Sequence, residues 1–170
     1  MRVKRGKLAG RDLMSPGARV RSTSEAVRDH WLTALGDRLE GARVLDLFAG
    51  SGALGVEALS RGAARADFVE NGAASLHALK ANVAAFRLKK RARIFKRDAI
   101  PFVEGLEADT YDITFADPPY GSRKLDRVIA RWMDVRFSQV LSVEHRADHE
   151  VPATGVTRDY GQTRVTIFGL

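Results

Sequence analysis

The 170-residue sequence contains no cysteine and no run of eighteen or more apolar residues. The first absence excludes disulfide bonds and thiolate metal sites and fits a reducing compartment, so we expect a cytoplasmic protein. The second leaves no candidate for a membrane span. The basic N-terminus is not followed by the apolar segment that a secretory signal requires, so no such leader is expected.

Linker-like sequence is also missing. No internal repeat, low-complexity tract or Ser/Pro-rich segment divides the chain, and its length suffices for one domain with a substantial core. The first residues are basic and punctuated by glycine, which predicts a short arm or small hairpin. We therefore predict a basic N-terminal arm over residues 1–22 and a single domain over residues 23–170.

Acidic residues are scarce in two segments. Residues 1–30 contain eight basic residues against three acids, and residues 87–97 contain seven basic residues and no acid. Because the rest of the chain is net acidic, this pattern is typical of a protein that binds a polyanion, although two solvated faces or an anionic surface are alternatives. Neither segment predicts a strongly amphipathic helix, which favours nucleic acid over a membrane.

The spacing of apolar residues predicts alternating helices and strands. Ser22 and Glu25 match a capping box, which predicts a helix over residues 23–39. Strands are predicted at 42–48, 66–70, 92–96, 111–116 and 139–145, with helices up to about residue 61 and over 73–86, 100–106 and 125–133. A closing hairpin is predicted around Gly161. This order predicts an α/β fold whose parallel sheet is covered by helices on both faces.

The chemically interesting residues follow the predicted strands. Asp46 to Gly55 lie at the end of the first strand, Glu70 ends the second, Asp98 follows the third, and Asp117 to Tyr120 follow the fourth. Because parallel sheets bind ligands beyond the carboxyl ends of their strands, these residues are expected to share one site.

The segment "GSGALG" (Gly50 to Gly55) is a glycine-rich loop with Glu70 twenty residues beyond its first glycine. By spacing alone it fits a dinucleotide, but Asp46 would repel a diphosphate and the chain has no room for a second catalytic half. S-adenosylmethionine carries no phosphate and fits better. Asp46 would face its cationic amino acid moiety and Glu70 its ribose hydroxyls, with Asp98 and the Ala99 N–H at the adenine; the alternative is that Asp46 and Asp98 only cap turns.

The segment "DPPY" (Asp117 to Tyr120) ends a strand abruptly, because neither proline can donate to a sheet and both fix φ. A rigid carboxylate beside an aromatic ring suits a planar substrate that carries an amino group. A strand-terminating turn with a capping acid is the alternative.

These motifs together resemble one family. "VLDLFAGSGALGVEALSRGA", "FVE", "RDA", "DPPY" and "YGQTRVTIF" are similar to segments of the bacterial 16S ribosomal RNA (guanine-N2)-methyltransferases, and the likeness runs from "RGKLAGRDL" to the end. The resemblance implies a Rossmann-like class I methyltransferase with a mostly parallel seven-stranded sheet and a C-terminal hairpin. Where that family has Arg-Pro-Thr before the first helix, this chain has Arg21-Ser22-Thr23, in which Ser22 can serve as a cap.

The resemblance also implies roles. The methyl group would pass from S-adenosylmethionine to the exocyclic N2 of a guanine in 16S ribosomal RNA, either free or within the small ribosomal subunit, with no metal. The cofactor-binding residues would be Thr23, Asp46, Phe48, Ala49, Gly50, Ser51, Gly52, Glu70, Asn71, Asp98 and Ala99. The catalytic residues would be Asp117, Pro118, Pro119 and Tyr120. The charge of the two basic segments, rather than the resemblance, gives the RNA-binding candidates, which are Arg2, Lys4, Arg5, Lys7, Arg11, Arg21, Lys89, Lys90 and Arg91.

Within these roles, Asp117 and the Pro118 carbonyl accept the N–H groups of the guanine amino group, and Tyr120 stacks on the unpaired base. Phe48 either lines the cofactor site or fills the core. Three rival functions remain open: a DNA adenine-N6 methyltransferase, a non-catalytic RNA-binding or assembly protein, and a methyltransferase for proteins or small molecules. His145 and His149 lie four residues apart but lack an evident third ligand, so no metal is expected.

Overall fold

The fold is described from a computed structural model, which covers residues 1–17 and 23–170. The helices are α1 (Glu25–Leu35), α2 (Ala53–Ser60), α3 (Ala73–Ala85), α4 (Ala99–Glu104) and α5 (Lys124–Val135). The strands are β1 (Arg43–Leu47), β2 (Arg65–Glu70), β3 (Ala92–Lys96), β4 (Tyr111–Ala116), β5 (Ser138–Arg146), β6 (Val156–Tyr160) and β7 (Thr163–Phe168). Each strand and helix predicted from residue 42 onward is present, with ends shifted by at most two residues.

The first helix differs from its prediction at both ends. Ser24 is its N-cap and accepts a hydrogen bond from the Val27 N–H at 3.2 Å, whereas Ser22 lies outside the described residues. The helix ends at Leu35 because Gly36 takes a left-handed φ of 53°, and residues 36–39 continue as one turn of 3-10 helix. Apolar periodicity alone does not reveal such a change of helix type.

All seven strands form one sheet in the order β3-β2-β1-β4-β5-β7-β6. Strands β1 to β5 pair in parallel, while β7 pairs antiparallel with β5 and β6 antiparallel with β7. The strand order reverses between β1 and β4, so the loops that follow these two strands diverge and leave a crevice at their carboxyl ends. The seven-stranded, mostly parallel sheet is thus confirmed.

Apolar side chains on the two sides of the sheet form two core clusters. In β1, Val44 belongs to one cluster while Leu45 and Leu47 belong to the other, as the alternation of side chains along a strand requires. Trp31 and Trp132 are completely buried, one in each cluster. Both tryptophans are therefore core residues, and the helices that carry them are fixed against opposite faces of the sheet.

The N-terminal segment packs onto the domain. Val3 and Leu13 are buried in the same cluster as Trp31, and Arg2 and Asp12 form an antiparallel bridge. The backbone N–H groups of Lys4 and Arg5 donate to the completely buried carboxylate of Glu57 on α2. The segment is therefore a small hairpin anchored in the core.

Candidate active site

The loop between β1 and α2 owes its shape to glycine. Gly52 has a φ of +80°, and a Cβ added there would lie 2.4 Å from Leu79 Cδ1. A Cβ on Gly55 would lie 2.4 Å from Phe68 Cε1, so this glycine lets α2 pack closely against β2. The first and third glycines of the motif therefore differ in role: Gly50 lines the cavity described next, and Gly55 serves packing.

A cavity of about 470 Å³ opens at the carboxyl ends of the central strands, a size within the usual range for small-molecule sites. Most of the predicted site residues line it. They are Thr23, Asp46, Phe48, Ala49, Gly50, Ser51, Glu70, Asn71, Ala99, Asp117, Pro118, Pro119 and Tyr120. Gly52 and Asp98 are not among the lining residues.

Phe48 lines the cavity in a strained conformation. Its φ of +59° is unusual for a residue with a side chain, and such strain concentrates at functional sites. The Lys124 Nζ atom lies 5.8 Å from the centroid of its ring. Phe48 therefore lines the cavity and also packs against one core cluster.

Asp46 lies almost fully buried at the base of the glycine loop, where its Oδ2 accepts the Gly55 N–H at 2.9 Å. Burial raises the pKa of this carboxyl well above its usual range, the Gly55 N–H opposes the shift, and the negative charges of Asp117 and Glu70 add to it. A buried carboxylate with so little compensation favours a cationic ligand group.

We expect Asp46→Asn to stabilise the protein at neutral pH and to weaken binding of a cationic cofactor. The folded state holds the Asp46 proton more tightly than the unfolded state, so its contribution to stability falls as pH rises through the window above the ordinary carboxyl pKa. Asparagine does not ionise, so the variant does not lose this stability as pH rises, and its side-chain oxygen can still accept the Gly55 N–H. Thermal unfolding at pH 5 and pH 8 should show a smaller pH dependence in the variant.

Calorimetry should show cofactor affinity lowered about tenfold or more in Asp46→Asn, the size expected when a hydrogen bond between charged groups is removed. The matched control is Asp37→Asn, which changes an exposed acid outside the cavity. Unchanged stability and unchanged affinity in Asp46→Asn would contradict the role assigned to this carboxylate.

Glu70 fastens the glycine loop to the end of β2. Its Oε2 accepts the Gly50 N–H at 2.8 Å, and its Oε1 accepts the N–H groups of Asn71 and Gly72 at 2.9 and 2.7 Å. A carboxylate has about four acceptor positions, so these bonds leave room for about one ribose hydroxyl. The hydrogen bonds by which Glu70 holds the glycine loop are observed, and its contact with a ribose stays a prediction.

Asp98 is the N-cap of α4. Capping was the alternative that the sequence left open beside a contact with the adenine. Its Oδ1 accepts the Ile100 N–H at 3.0 Å, and its Oδ2 lies 3.3 Å from Lys124 Nζ. The Ile100 N–H, followed by Lys124, lowers the pKa of Asp98. Ala99 does line the cavity, so contact with an adenine is expected first from Ala99, while the contact from Asp98 stays a prediction.

Asp117 belongs to a hydrogen-bonded group of side chains at the end of β4. The Thr23 hydroxyl lies 2.9 Å from Asp117 Oδ2 and 2.7 Å from Glu144 Oε2. The Tyr120 hydroxyl lies 3.2 Å from Glu144 Oε1 and 2.8 Å from Thr163 Oγ1. Thr23 therefore contacts Asp117, while its predicted contact with the cofactor stays a prediction.

Glu144 is the residue of this group that the sequence analysis missed. It is buried in β5, next to β4 in the sheet. An acid near the end of the apolar strand "QVLSVEH" was the available signal. Glu144 also lines a second cavity of about 360 Å³, and the turn from Pro118 to Tyr120 forms a wall shared by both cavities.

Several predicted RNA-binding residues have structural partners instead. Arg91 donates to the carbonyl oxygens of Leu59, Ala63 and Ala64 at the end of α2. The acids paired with Arg2, Lys4 and Arg5 are Asp12, Glu25 and Asp29. The Arg11 guanidinium lies 4.4 Å from the Phe86 ring centroid and donates to Ala85 O. Arg91 therefore has a structural role, and its predicted contact with RNA stays a prediction.

The remaining candidates fall into two groups. Lys7, Lys89 and Lys90 are exposed and have no ion pair with the residues described, and Arg21 lies outside the described part of the chain. Residues 87–91 precede β3 and lie at its amino end, whereas the cavity lies at the carboxyl ends of the strands. Three cations that were not selected from the sequence, Arg28, Arg97 and Lys124, line the cavity.

His145 and His149 have polar partners within the fold. His145 Nε2 lies 2.8 Å from Thr166 Oγ1, and His149 Nε2 lies 2.8 Å from Asp126 Oδ1. No cluster of three metal-ligating side chains occurs in the described ranges. Across residues 1–17 and 23–170, none of the helices has the length and apolar character needed to cross a membrane.

Comparison with known proteins gives matches over the whole chain. The family model described as Conserved hypothetical protein 95 matches residues 1–169. YlbH of Bacillus subtilis (strain 168), named provisionally as an rRNA methyltransferase, is 33% identical over 179 residues that cover 100% of this chain and 95% of YlbH. Ribosomal RNA small subunit methyltransferase D of Escherichia coli (strain K12) is 36% identical over 132 residues, covering 76% of this chain and 65% of that protein.

The solved structure of yhhF from Escherichia coli, titled provisionally as a methyltransferase, matches with a TM-score of 0.84 at 32% identity. The match covers 98% of this chain and 96% of yhhF. Together with the sheet topology, this likeness confirms the predicted class I methyltransferase fold.

Proposed function

The chain belongs to the family described as Conserved hypothetical protein 95, and from this premise we propose that it transfers a methyl group from S-adenosylmethionine to the exocyclic N2 of a guanine in 16S ribosomal RNA. The observation that carries the proposal is that Asp117 to Tyr120 and the loop around Gly50 line one cavity. The rRNA methyltransferase names of YlbH and of the Escherichia coli relative support the substrate class. Such a substrate places the reaction in the cytoplasm.

The residues around the cavity fit S-adenosylmethionine. Asp46 is a buried carboxylate that a cationic amino acid moiety would compensate. Gly50 and Ser51 present backbone at the cavity wall, and Glu70 has about one acceptor position left for a ribose hydroxyl. The bound cofactor supplies an electrophilic methyl group on a sulfonium sulfur.

The protein's own contribution is to prepare the nucleophile. The exocyclic nitrogen of guanine shares its lone pair with the ring, so it is a poor nucleophile without help. Asp117 and the Pro118 carbonyl can each accept one of its N–H groups, which keeps electron density on nitrogen and orients the lone pair. Tyr120 lies beside them at the cavity wall, and stacking on a base contributes about 1–3 kcal/mol. Positioning and fixed electrostatics then lower the barrier.

The group around Thr23 holds Asp117 in place. The Thr23 hydroxyl has one hydrogen and contacts two carboxylates, those of Asp117 and Glu144. When it donates to Asp117, this hydroxyl restricts the rotamer of the Asp117 side chain. The Asp117 carboxylate can take the proton that N2 releases after methylation. The Thr23 hydroxyl and the Glu144 carboxylate are the next proton-accepting groups along this hydrogen-bonded chain.

We expect Thr23→Val to lower the rate of methyl transfer about tenfold to a hundredfold, because a hydrogen bond to a charged group contributes about 1.5–3 kcal/mol. Valine keeps the shape but removes the hydroxyl. Thr23→Ser keeps the hydroxyl and is expected to retain most of the rate. Single-turnover kinetics with saturating cofactor measure the effect; equal rates for the two variants would show that the hydroxyl does not position Asp117.

The proposed function is tested in cells. Nucleosides from 16S ribosomal RNA of a strain that lacks this protein should have less N2-methylguanosine by one residue per molecule, and the wild-type gene should restore it. Loss of N6-methyladenine from DNA would instead favour the DNA methyltransferase. An unchanged set of RNA and DNA methyl marks would contradict the proposal and favour a non-catalytic assembly role.

A further inference from the structure

Arg97 is an exposed cation at the mouth of the cavity. It directly follows β3, its backbone N–H donates to Glu70 O at 3.2 Å, and it lines the cavity. Among the residues of known placement, none forms an ion pair with it. An arginine in this setting can bind an oxyanion with two N–H groups without breaking an existing salt bridge.

Arg123 is a second such cation, on the neighbouring loop. It is the exposed N-cap of α5, and within residues 1–17 and 23–170 it has no ion-pair partner. The two loops are joined by the ion pair between Lys124 Nζ and Asp98 Oδ2 at 3.3 Å. Because Arg97 precedes Asp98 and Arg123 precedes Lys124, the two arginines flank this ion pair.

Of the other cations near this edge, Lys96 ends β3, is exposed and has no ion pair with the described residues, whereas two are paired. Lys124 pairs with Asp98, and Arg127 on α5 pairs with Glu104. The lysine-rich residues 87–91 lie at the amino end of β3 instead. A strand of five residues separates them from Arg97 by roughly 15 Å. One run of positive charge in the sequence is thus divided between two ends of the sheet, and only one end adjoins the catalytic residues.

We infer that the RNA strand carrying the target nucleotide crosses the edge formed by the carboxyl end of β3 and the start of α5, where Arg97 and Arg123 bind its phosphates. This inference rests on the proposed function and assigns the docking surface for its substrate. The phosphates fix the register of the strand, and the unpaired base turns from there into the cavity toward Asp117. Lys89 and Lys90 contribute no phosphate contact to this complex.

The experiment measures how salt weakens binding to an unmethylated transcript of the small-subunit ribosomal RNA. Removing one phosphate-binding charge reduces the slope of log K against log salt by about 0.7 for single strands. Arg97→Glu combined with Arg123→Glu should reduce the slope by about 1.4 and lower affinity more than tenfold in moderate salt. Arg123→Glu alone, which leaves the cavity lining unchanged, should give about half of the slope change.

The matched control is Lys89→Glu combined with Lys90→Glu, which reverses the same amount of charge at the opposite end of β3 and should leave the slope unchanged. The double variant Arg97→Lys and Arg123→Lys should keep most of the wild-type salt dependence, because the positive charges remain. Thermal unfolding verifies that each variant is folded.

The outcomes separate the inference from the proposed function. If the wild type methylates RNA and the Lys89/Lys90 reversal changes the slope as much as the arginine reversal, the assigned docking surface is wrong. An unchanged slope in the arginine reversal would overturn it too. If the wild type binds neither the transcript nor unmethylated small subunits, the proposed function itself fails.

Discussion

Asp117→Asn is expected to lower methyl transfer at least a hundredfold while cofactor affinity stays within about twofold, since removing one group that stabilises a transition state typically costs about 10²–10³ in rate. Asparagine is neutral, and its amide group presents N–H atoms to a substrate amino group that needs acceptors. The loop around Gly50, where we propose that the cofactor binds, follows a different strand, so its shape is expected to persist.

The matched control for this substitution is Asp112→Asn. Asp112 lies in the same strand, β4, near its amino end, where it pairs with Arg43 on the protein surface. The control should keep the full rate. Transfer by Asp117→Asn at more than about a tenth of the wild-type rate would remove Asp117 from the mechanism.

Glu70→Ala is expected to weaken cofactor binding about tenfold to a hundredfold. The substitution removes the acceptor of three backbone N–H groups, including that of Gly50, and a net contribution of about 0.5–1.5 kcal/mol for each bond is typical. The freed loop must then be ordered by the ligand. The proposed catalytic residues follow a different strand, β4. The rate at saturating cofactor should therefore fall much less than the affinity.

Calorimetry with S-adenosylmethionine measures the first effect and single-turnover rates at saturation measure the second. Glu107→Ala is the control, because Glu107 is exposed and lies outside the cavity. Unchanged affinity in Glu70→Ala would show that the loop holds its shape without this carboxylate.

The parts of the site that the sequence predicted are those with a local cause. Two prolines after an apolar segment place Asp117 at a strand end, and three glycines at fixed spacing predict the loop around Gly50. Both signals act within a few residues, and the alternation of strands and helices then determines that they meet at one edge of the sheet.

The parts that escaped prediction depend on contacts between distant segments. Glu144 joins the hydrogen-bonded group around Asp117 only because β5 pairs with β4 and the Thr23 hydroxyl contacts both acids. Arg91 resembles its neighbours in the sequence, yet the end of α2 brings three carbonyl oxygens to its guanidinium.

The proposed reaction is tested most directly by incubating the purified protein with S-adenosylmethionine that carries an isotopically labelled methyl group and with unmethylated small ribosomal subunits or free 16S ribosomal RNA. After digestion, mass spectrometry should find the label in N2-methylguanosine, at one residue per RNA molecule, and none with Asp117→Asn. Label in a different nucleoside, or no label in RNA while the wild-type protein binds the cofactor, would contradict the proposed reaction.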